Sequence, residues 1–325
     1  MKYKKHFFKI LPILFAFVLF LVPTIIKNQF ILHLFIMAFF YIILSTSLSF
    51  FYRTGQLTLG HAGFMGIGAY TSVLLTMRLN VPFVIAFFAS GVMALLVAIL
   101  LGKIVLRSKG VYFVLITFSF TEIMRLVFVN WVSVFGGANG ISGIPSPKIS
   151  LFVSNVVLNF SSKSSYYALT LVISIISLYI LSKIDNSPVG QISRLIKESG
   201  VLAQSTGIDI GKYSLISFSI ACFFAGISGS LYGHYFRFIS PYSFTFWESV
   251  NVVMVCVIGG FRHLRGAVIG SIVYVALTEI VRAGKEFELI IFGFIIILIV
   301  IFSPGGLDSL FANVKERIAN IIAIK

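Results

Sequence analysis

Glu122 and Arg125, three residues apart in an otherwise apolar run, are the clearest chemistry-bearing pair in the chain. At that spacing both fall on one helical face, and a lone charge at the centre of a membrane costs about 2.5–3.5 kcal/mol. A mutually neutralising structural pair accounts for them better than a substrate site. The other charges inside apolar segments are Glu248, and Glu279 near Arg282. Proton relays use chains of acids and histidines across the bilayer, and none is visible. The five histidines are scattered, and the two cysteines, Cys222 and Cys256, sit in apolar segments. Neither set suggests a disulfide framework or a metal site, and no cofactor is implied. A Walker A loop, a His-Glu-x-x-His motif and a Gly-x-Ser-x-Gly elbow are all absent. These residues suit a membrane passage that draws its energy from elsewhere, and no nucleophile–base pair argues for an enzyme.

The elements that would hold such a passage follow from composition. The 325 residues are 58% hydrophobic and 11% charged, with 35 phenylalanines. A soluble domain carries about 25% charged residues. Apolar runs near 20 residues recur, the length that a hydrocarbon core of about 30 Å demands of a helix. The expected fold is all-α, a polytopic transmembrane helical bundle of about ten spans (eight to ten, if some glycine-rich spans are broken or re-entrant). The spans fall near 7–26, 30–51, 57–77, 81–101, 110–131, 165–184, 213–235, 244–261, 266–283 and 287–303. The first, with its basic start and no small-x-small cleavage site, reads as an uncleaved helix. With the N-terminus inside, 17 of the 25 lysines and arginines collect on the inner side and seven on the outer. The positive-inside rule then puts both termini in the cytoplasm. It also explains the net charge of +15 without nucleic acid.

The chain reads as a single transmembrane domain, 1–325, with two long loops. Residues 132–164 form an external loop rich in Gly, Ser, Asn and Pro. Residues 185–212 lie inside and carry a helix start, with Ser187 placed to cap and Pro188 at the first helical position. Ile192, Leu195, Ile196 and Leu202 make a partial apolar stripe, Arg194 and Glu198 pair four apart, and Gly207 is the expected stop. Periodicity alone fits a helix on the membrane surface as well as one docked on a protein.

The stretch GQLTLGHAGFMGIGAY, residues 55–70, holds five glycines, each costing a helix about 1 kcal/mol relative to alanine. Small residues at this spacing let helix backbones approach closely, and they also permit a broken helix facing a cavity. The Gly-x-x-x-Gly segments 229–233 and 266–270 share the texture. Gly55, Gln56, Gly60, His61, Gly66, Gly68 and Tyr70 are therefore candidates for a translocation and packing motif. Gln56 and His61 are expected to satisfy freed backbone groups rather than touch solute.

At this point GQLTLGHAGFMGIGAYTSVLL resembles the hallmark segment of the permease subunits of branched-chain amino acid ABC importers. The likeness continues through FSFTEIMRLVFVNW, GGANGISGIP, the segment from Ile192 to Phe244 and VIGGFRHLRGAVIG, in family order from about residue 40 to 307. Of the two permease types it is most similar to the LivM type. The resemblance implies a subunit in the cytoplasmic (inner) membrane of a bacterium. Its partners would be a second homologous permease subunit, two cytoplasmic ATP-binding subunits and an extracytoplasmic solute-binding protein. Loop 185–212 would be the coupling loop, with Arg194, Glu198, Ala203 and Gly207 at the ATPase cleft, and Gly136 to Pro145 would face the binding protein. The cargo would be branched-chain or related small amino acids. Importers of urea or amides share these motifs, and an ATPase-independent secondary transporter is the reading from a different class. Gly200, Leu202 and the cluster Arg262, His263 and Arg265 depart from the family pattern and bear on how tightly the ATPase couples.

Overall fold

Three of the long helices begin where the sequence supplies a side chain to accept a free N–H group. In the computed structural model, which describes residues 20, 22–24, 28–150, 157–282, 288–303 and 305–309, Asn28 caps helix α1 (Gln29–Phe51) by accepting from Phe30 N at 2.9 Å. Helices α2 (His61–Arg78), α3 (Phe83–Val105) and α4 (Val111–Asn130) follow. Ser162 caps α5 (Lys163–Asp185), and Asp209 caps α8 (Ile210–Phe236). Between those two lie the short helices α6 (Pro188–Glu198) and α7 (Gly200–Ser205). Helices α9 (Phe246–Gly259), α10 (Leu264–Arg282) and α11 (Glu288–Phe302) complete the bundle. Such caps contribute about 1 kcal/mol each.

Among the described residues, six helices are long and apolar enough to cross a membrane: those covering Gln29–Thr54, Phe83–Val105, Val111–Asn130, Lys163–Asp185, Ile210–Phe236 and Leu264–Arg282. The expected span 7–26 lies mostly outside the described residues. Helix α2, diluted by glycine and polar residues, and the 14-residue α9 are not among the six. Helix α9 is too short, and for α2 the reason is burial. Every residue from Gly60 to Tyr70 is buried, so this segment is solvated by protein and needs no continuous apolar surface.

Helix α8 is the axis of the fold, packed most extensively on α2 and α3. A first apolar cluster joins Phe64, Tyr70, Phe120, Phe128, Phe218 and Phe244, and a second gathers Phe39, Phe40, Tyr167, Phe224 and Leu231. The described parts of the external segment, residues 132–150 and 157–162, make specific contacts with the bundle. Strand β1 (Ile141–Ser142) pairs antiparallel with β4 (Phe238–Ile239), and β2 (Lys148–Ser150) with β3 (Val157–Asn159). Ile144 is buried, the Pro145 carbonyl lies 3.0 Å from His234 Nδ1, and the Arg78 guanidinium donates to the carbonyls of Ser133 and Val134. Cys222 and Cys256 are buried and not bonded to one another.

Candidate functional site

Helix α6 is strongly amphipathic, and its fit to the bundle begins with a glycine. A Cβ on Gly190 would lie 2.1 Å from the Asp185 carbonyl oxygen, so α6 rests directly on the end of α5. Pro188 takes the first turn, as its fixed φ allows. Ser187 occupies the cap position, but its hydroxyl donates back to the Ile184 carbonyl at 2.7 Å and caps nothing ahead. Ser193 then meets Ser217 of α8 at 2.9 Å.

Arg194 does not pair with Glu198. Its Nη1 donates to Asp185 Oδ1 at 2.9 Å and its Nη2 to the Asp185 carbonyl at 2.9 Å. The same carboxylate oxygen is 3.2 Å from Nε of Arg53, in the turn that follows α1. Asp185 is 9% exposed and Arg53 6%. One buried acid thus answers two guanidinium groups, which is how buried charge is tolerated. Arg53 also donates to the carbonyls of Phe261 and Arg262. Lys197 places its ammonium 3.9 Å from the centre of the Tyr52 ring, a cation–π geometry. Burial, and then the neighbouring Arg53 charge, lowers the Lys197 pKa below its ordinary value. An open cleft of about 740 Å³ runs past Arg53, Asp185, Arg194, Lys197 and Arg262.

Beyond α6, Ser199 accepts from Leu202 N and opens α7. Ala203 is fully buried, whereas Val201 and Leu202 are 80% and 53% exposed. Gly207 ends the segment at φ +80°. Glu198 is exposed and makes no ion pair among the described residues. The stripe expected over Ile192, Leu195, Ile196 and Leu202 therefore divides. Ile196 packs inward, and Leu202 joins Val201 in an uncovered apolar tip.

The glycine segment starts against this helix. Gly55 adopts φ +79°, left-handed backbone that favours glycine, and a Cβ there would sit 3.4 Å from Lys197 Cα. From Leu57 to Gly60 the backbone is open, and the groups that satisfy it are not Gln56 and His61. Thr117 Oγ1 accepts from Leu59 N at 3.1 Å, and Thr121 Oγ1 donates to the Leu59 carbonyl at 2.9 Å. Thr58 Oγ1 accepts from Gly60 N, and Ser249 Oγ accepts from Ala62 N. His61 is buried with Nε2 3.3 Å from Ser47 Oγ. Its Nδ1 and Gln56 Oε1 are buried without a hydrogen-bond partner among the described residues. Single hydroxyls scattered through apolar segments carry no periodic sequence signature.

The small residues of α2 divide into two kinds of contact. Gly68 faces the backbone of Gly226 in α8, and Gly229 of α8 faces the Met65 carbonyl. Gly66 instead faces the rings of Phe128 and Phe244, next to Tyr70, whose ring centre is 4.4 Å from that of Phe128. Gly266 and Gly270 of α10 meet the backbone of α9 at Gly259 and Val255. Glu122 and Arg125 stand apart from the cleft beside Asp185. They pair at 2.6 Å on α4, each about a quarter exposed, and Glu122 Oε1 accepts from Phe246 N at 3.4 Å.

With this geometry in view, comparisons with known proteins fall on one family. A family model described as the permease component of branched-chain amino acid transport systems matches residues 30–300. The chain is 31% identical to the high-affinity branched-chain amino acid transport system permease protein LivM of Escherichia coli (strain K12). The match covers 78% of this chain and 64% of that protein. Identity to the protein of the same name from Salmonella typhimurium (strain LT2) is 29%, over 83% and 68% of the two chains. The permease protein LivH of the same Salmonella strain is 23% identical over 57% of this chain and 60% of its own. The chain thus spans about two thirds of the length of the LivM relatives it matches. No solved structure matches it.

Proposed function

The chain belongs to the branched-chain amino acid transport permease family, and from that premise we propose that it is a transmembrane subunit of an ATP-driven importer for branched-chain or related small amino acids. The observation that carries the reading is the inner helix pair. Helix α6 is fixed to three parts of the bundle, while Glu198, Val201 and Leu202 beside it are left uncovered. An apolar, charged-rimmed tip on a firmly seated base suits a docked protein partner. Two ATP-binding subunits are that partner, and their conformational cycle moves α6 and α7. The likeness to both LivM and LivH supports a heterodimer of two related permeases with the passage between them. An extracytoplasmic binding protein delivers the solute to the outer face around Gly136 to Pro145. About ten spans with both termini in the cytoplasm agree with the 17 to 7 distribution of basic residues. The setting is a bacterial inner membrane.

Reconstitution in proteoliposomes with ATP-binding subunits, a second permease and a solute-binding protein of the same transport class tests this. Leucine-class uptake should require ATP and the binding protein. Uptake that survives removal of the ATPases and collapses with an ion gradient would establish a secondary transporter instead. Uptake of urea in place of amino acids would move the cargo and keep the mechanism.

A further inference from the structure

The cytoplasmic end of the bundle is held together at one acid that the sequence does not single out. Asp185 closes α5, and three things converge on it. The Arg53 guanidinium reaches its carboxylate from the turn after α1, at 3.2 Å. Arg194 of α6 holds both its carboxylate and its carbonyl, each at 2.9 Å. Gly190 of α6 leaves room for that same carbonyl to lie against the helix. Arg53 in turn binds the Phe261 and Arg262 carbonyls, in the turn between α9 and α10. That turn is itself held by Asp308, whose carboxylate is 2.7 Å from His263 Nδ1 and 2.9 Å from Arg265 Nε.

We propose that Asp185 is a positioning residue for the energy-coupled step, the charged link that carries a displacement of α6 to Arg53 and so to the turn between α9 and α10, beside the direct packing of Lys197 on Tyr52 and Gly55. The proposal rests on the importer reading above. Helix α6 has few other polar ties to the bundle: the Ser193–Ser217 hydrogen bond runs to α8, and the Lys197–Tyr52 contact runs to the turn that Arg53 already occupies. The Tyr52–Gly55 turn opens directly into the glycine segment, whose α2 packs backbone to backbone on α8. A chain of paired charges centred on the buried Arg53 and Asp185 transmits motion where exposed loops would absorb it.

The test uses the full transporter in proteoliposomes, with solute uptake and ATP hydrolysis measured on the same preparation. Asp185→Asn keeps the shape and removes the charge. The ATPase subunits should still co-purify and hydrolyse ATP, while solute moved per ATP falls about tenfold, within the range by which contiguous networks tune coupling between sites. Asp185→Glu should restore part of the ratio, which a merely structural gap would not. An unchanged ratio overturns the proposal. So does a loss of uptake that only parallels a loss of bound ATPase, because Asp185 would then shape the docking surface and transmit nothing. Should Asp185→Asn fail to fold, Arg194→Gln, altered at the more exposed partner, must lower the same ratio or the proposal falls. A wild-type complex without ATP-dependent uptake defeats the importer reading and this proposal with it. A coupled wild type beside an equally coupled Asp185→Asn defeats this proposal alone.

Discussion

A Cβ atom built on Gly68 would lie 2.1 Å from the carbonyl oxygen of Gly226, so α2 and α8 touch backbone to backbone at the centre of the bundle. No rotamer relieves such a contact, because the obstructing atom belongs to a helix backbone. Gly66, two residues earlier, faces only rings, with the nearest Phe128 atom at 2.9 Å from its Cβ position. Gly68→Ala should therefore cost more than Gly66→Ala. Overpacking costs about 1–3 kcal/mol where neighbours can yield, which describes Gly66, and Gly68 lies beyond it. Thermal unfolding in detergent checks the order: Gly66→Ala melts a few degrees low, and Gly68→Ala yields little folded protein. Gly66→Leu is expected to fail as well, since a whole side chain must displace Phe244.

The Glu122–Arg125 pair should behave as a unit. Breaking a poorly solvated pair strands one charge, whereas removing both partners does not. Arg125→Met is expected to lower stability by about 2 kcal/mol, short of the full midplane cost because the site is partly open. Adding Glu122→Gln should recover most of that loss. A double-mutant cycle on the unfolding midpoint measures it, and additive losses would show that the two residues act independently.

Much of the architecture was legible because apolar runs report helices directly. The expected spans near 30–51, 110–131, 165–184 and 213–235 lie close to α1, α4, α5 and α8. What escaped was long-range polar pairing. Arg194 and Glu198 have good helical spacing, yet Arg194 turns to Asp185 across the break between two helices. Arg53 reads as one of many inner-side basic residues until Asp185 is placed beside it. In the glycine segment the small residues were visible, but Gly66 and Gly68 look equivalent in a spacing pattern. Only the crossing of α8 separates backbone contact from ring contact. Thr58, Thr117, Thr121 and Ser249 do the work expected of Gln56 and His61, and single hydroxyls have no period to read.

The C-terminal tether offers a third prediction. The Asp308 carboxylate is almost fully buried between His263 and Arg265, and Gly306 packs on the Gly260 backbone beside it. Asp308→Asn should leave the bundle folded and release residues 305–309 from the turn, because charge-assisted hydrogen bonds of this kind are worth about 1.5–3 kcal/mol. Hydrogen exchange should rise in that segment and stay unchanged in α2 and α8. Equal protection in both proteins would assign the tether to glycine packing alone.

Gly207 and Glu198 separate docking from stability. Gly207 sits at φ +80°, donates its N–H to the Gln204 carbonyl at 2.9 Å and has nothing near its Cβ position. Proline fixes φ near −65° and has no N–H, so Gly207→Pro must rebuild the exit from α7 while the spans stay intact. Glu198, by contrast, is exposed and unpaired among the described residues. Glu198→Lys should leave the unfolding midpoint of the isolated permease within about 0.5 kcal/mol of wild type, as surface changes generally do. It should nevertheless lower ATPase binding and ATP-driven uptake together, because a reversed charge at an interface rim repels the partner that the native charge attracts. Co-purification at two salt concentrations resolves the cause. A defect that shrinks in high salt is electrostatic docking, and wild-type binding at both concentrations would remove Glu198 from the interface.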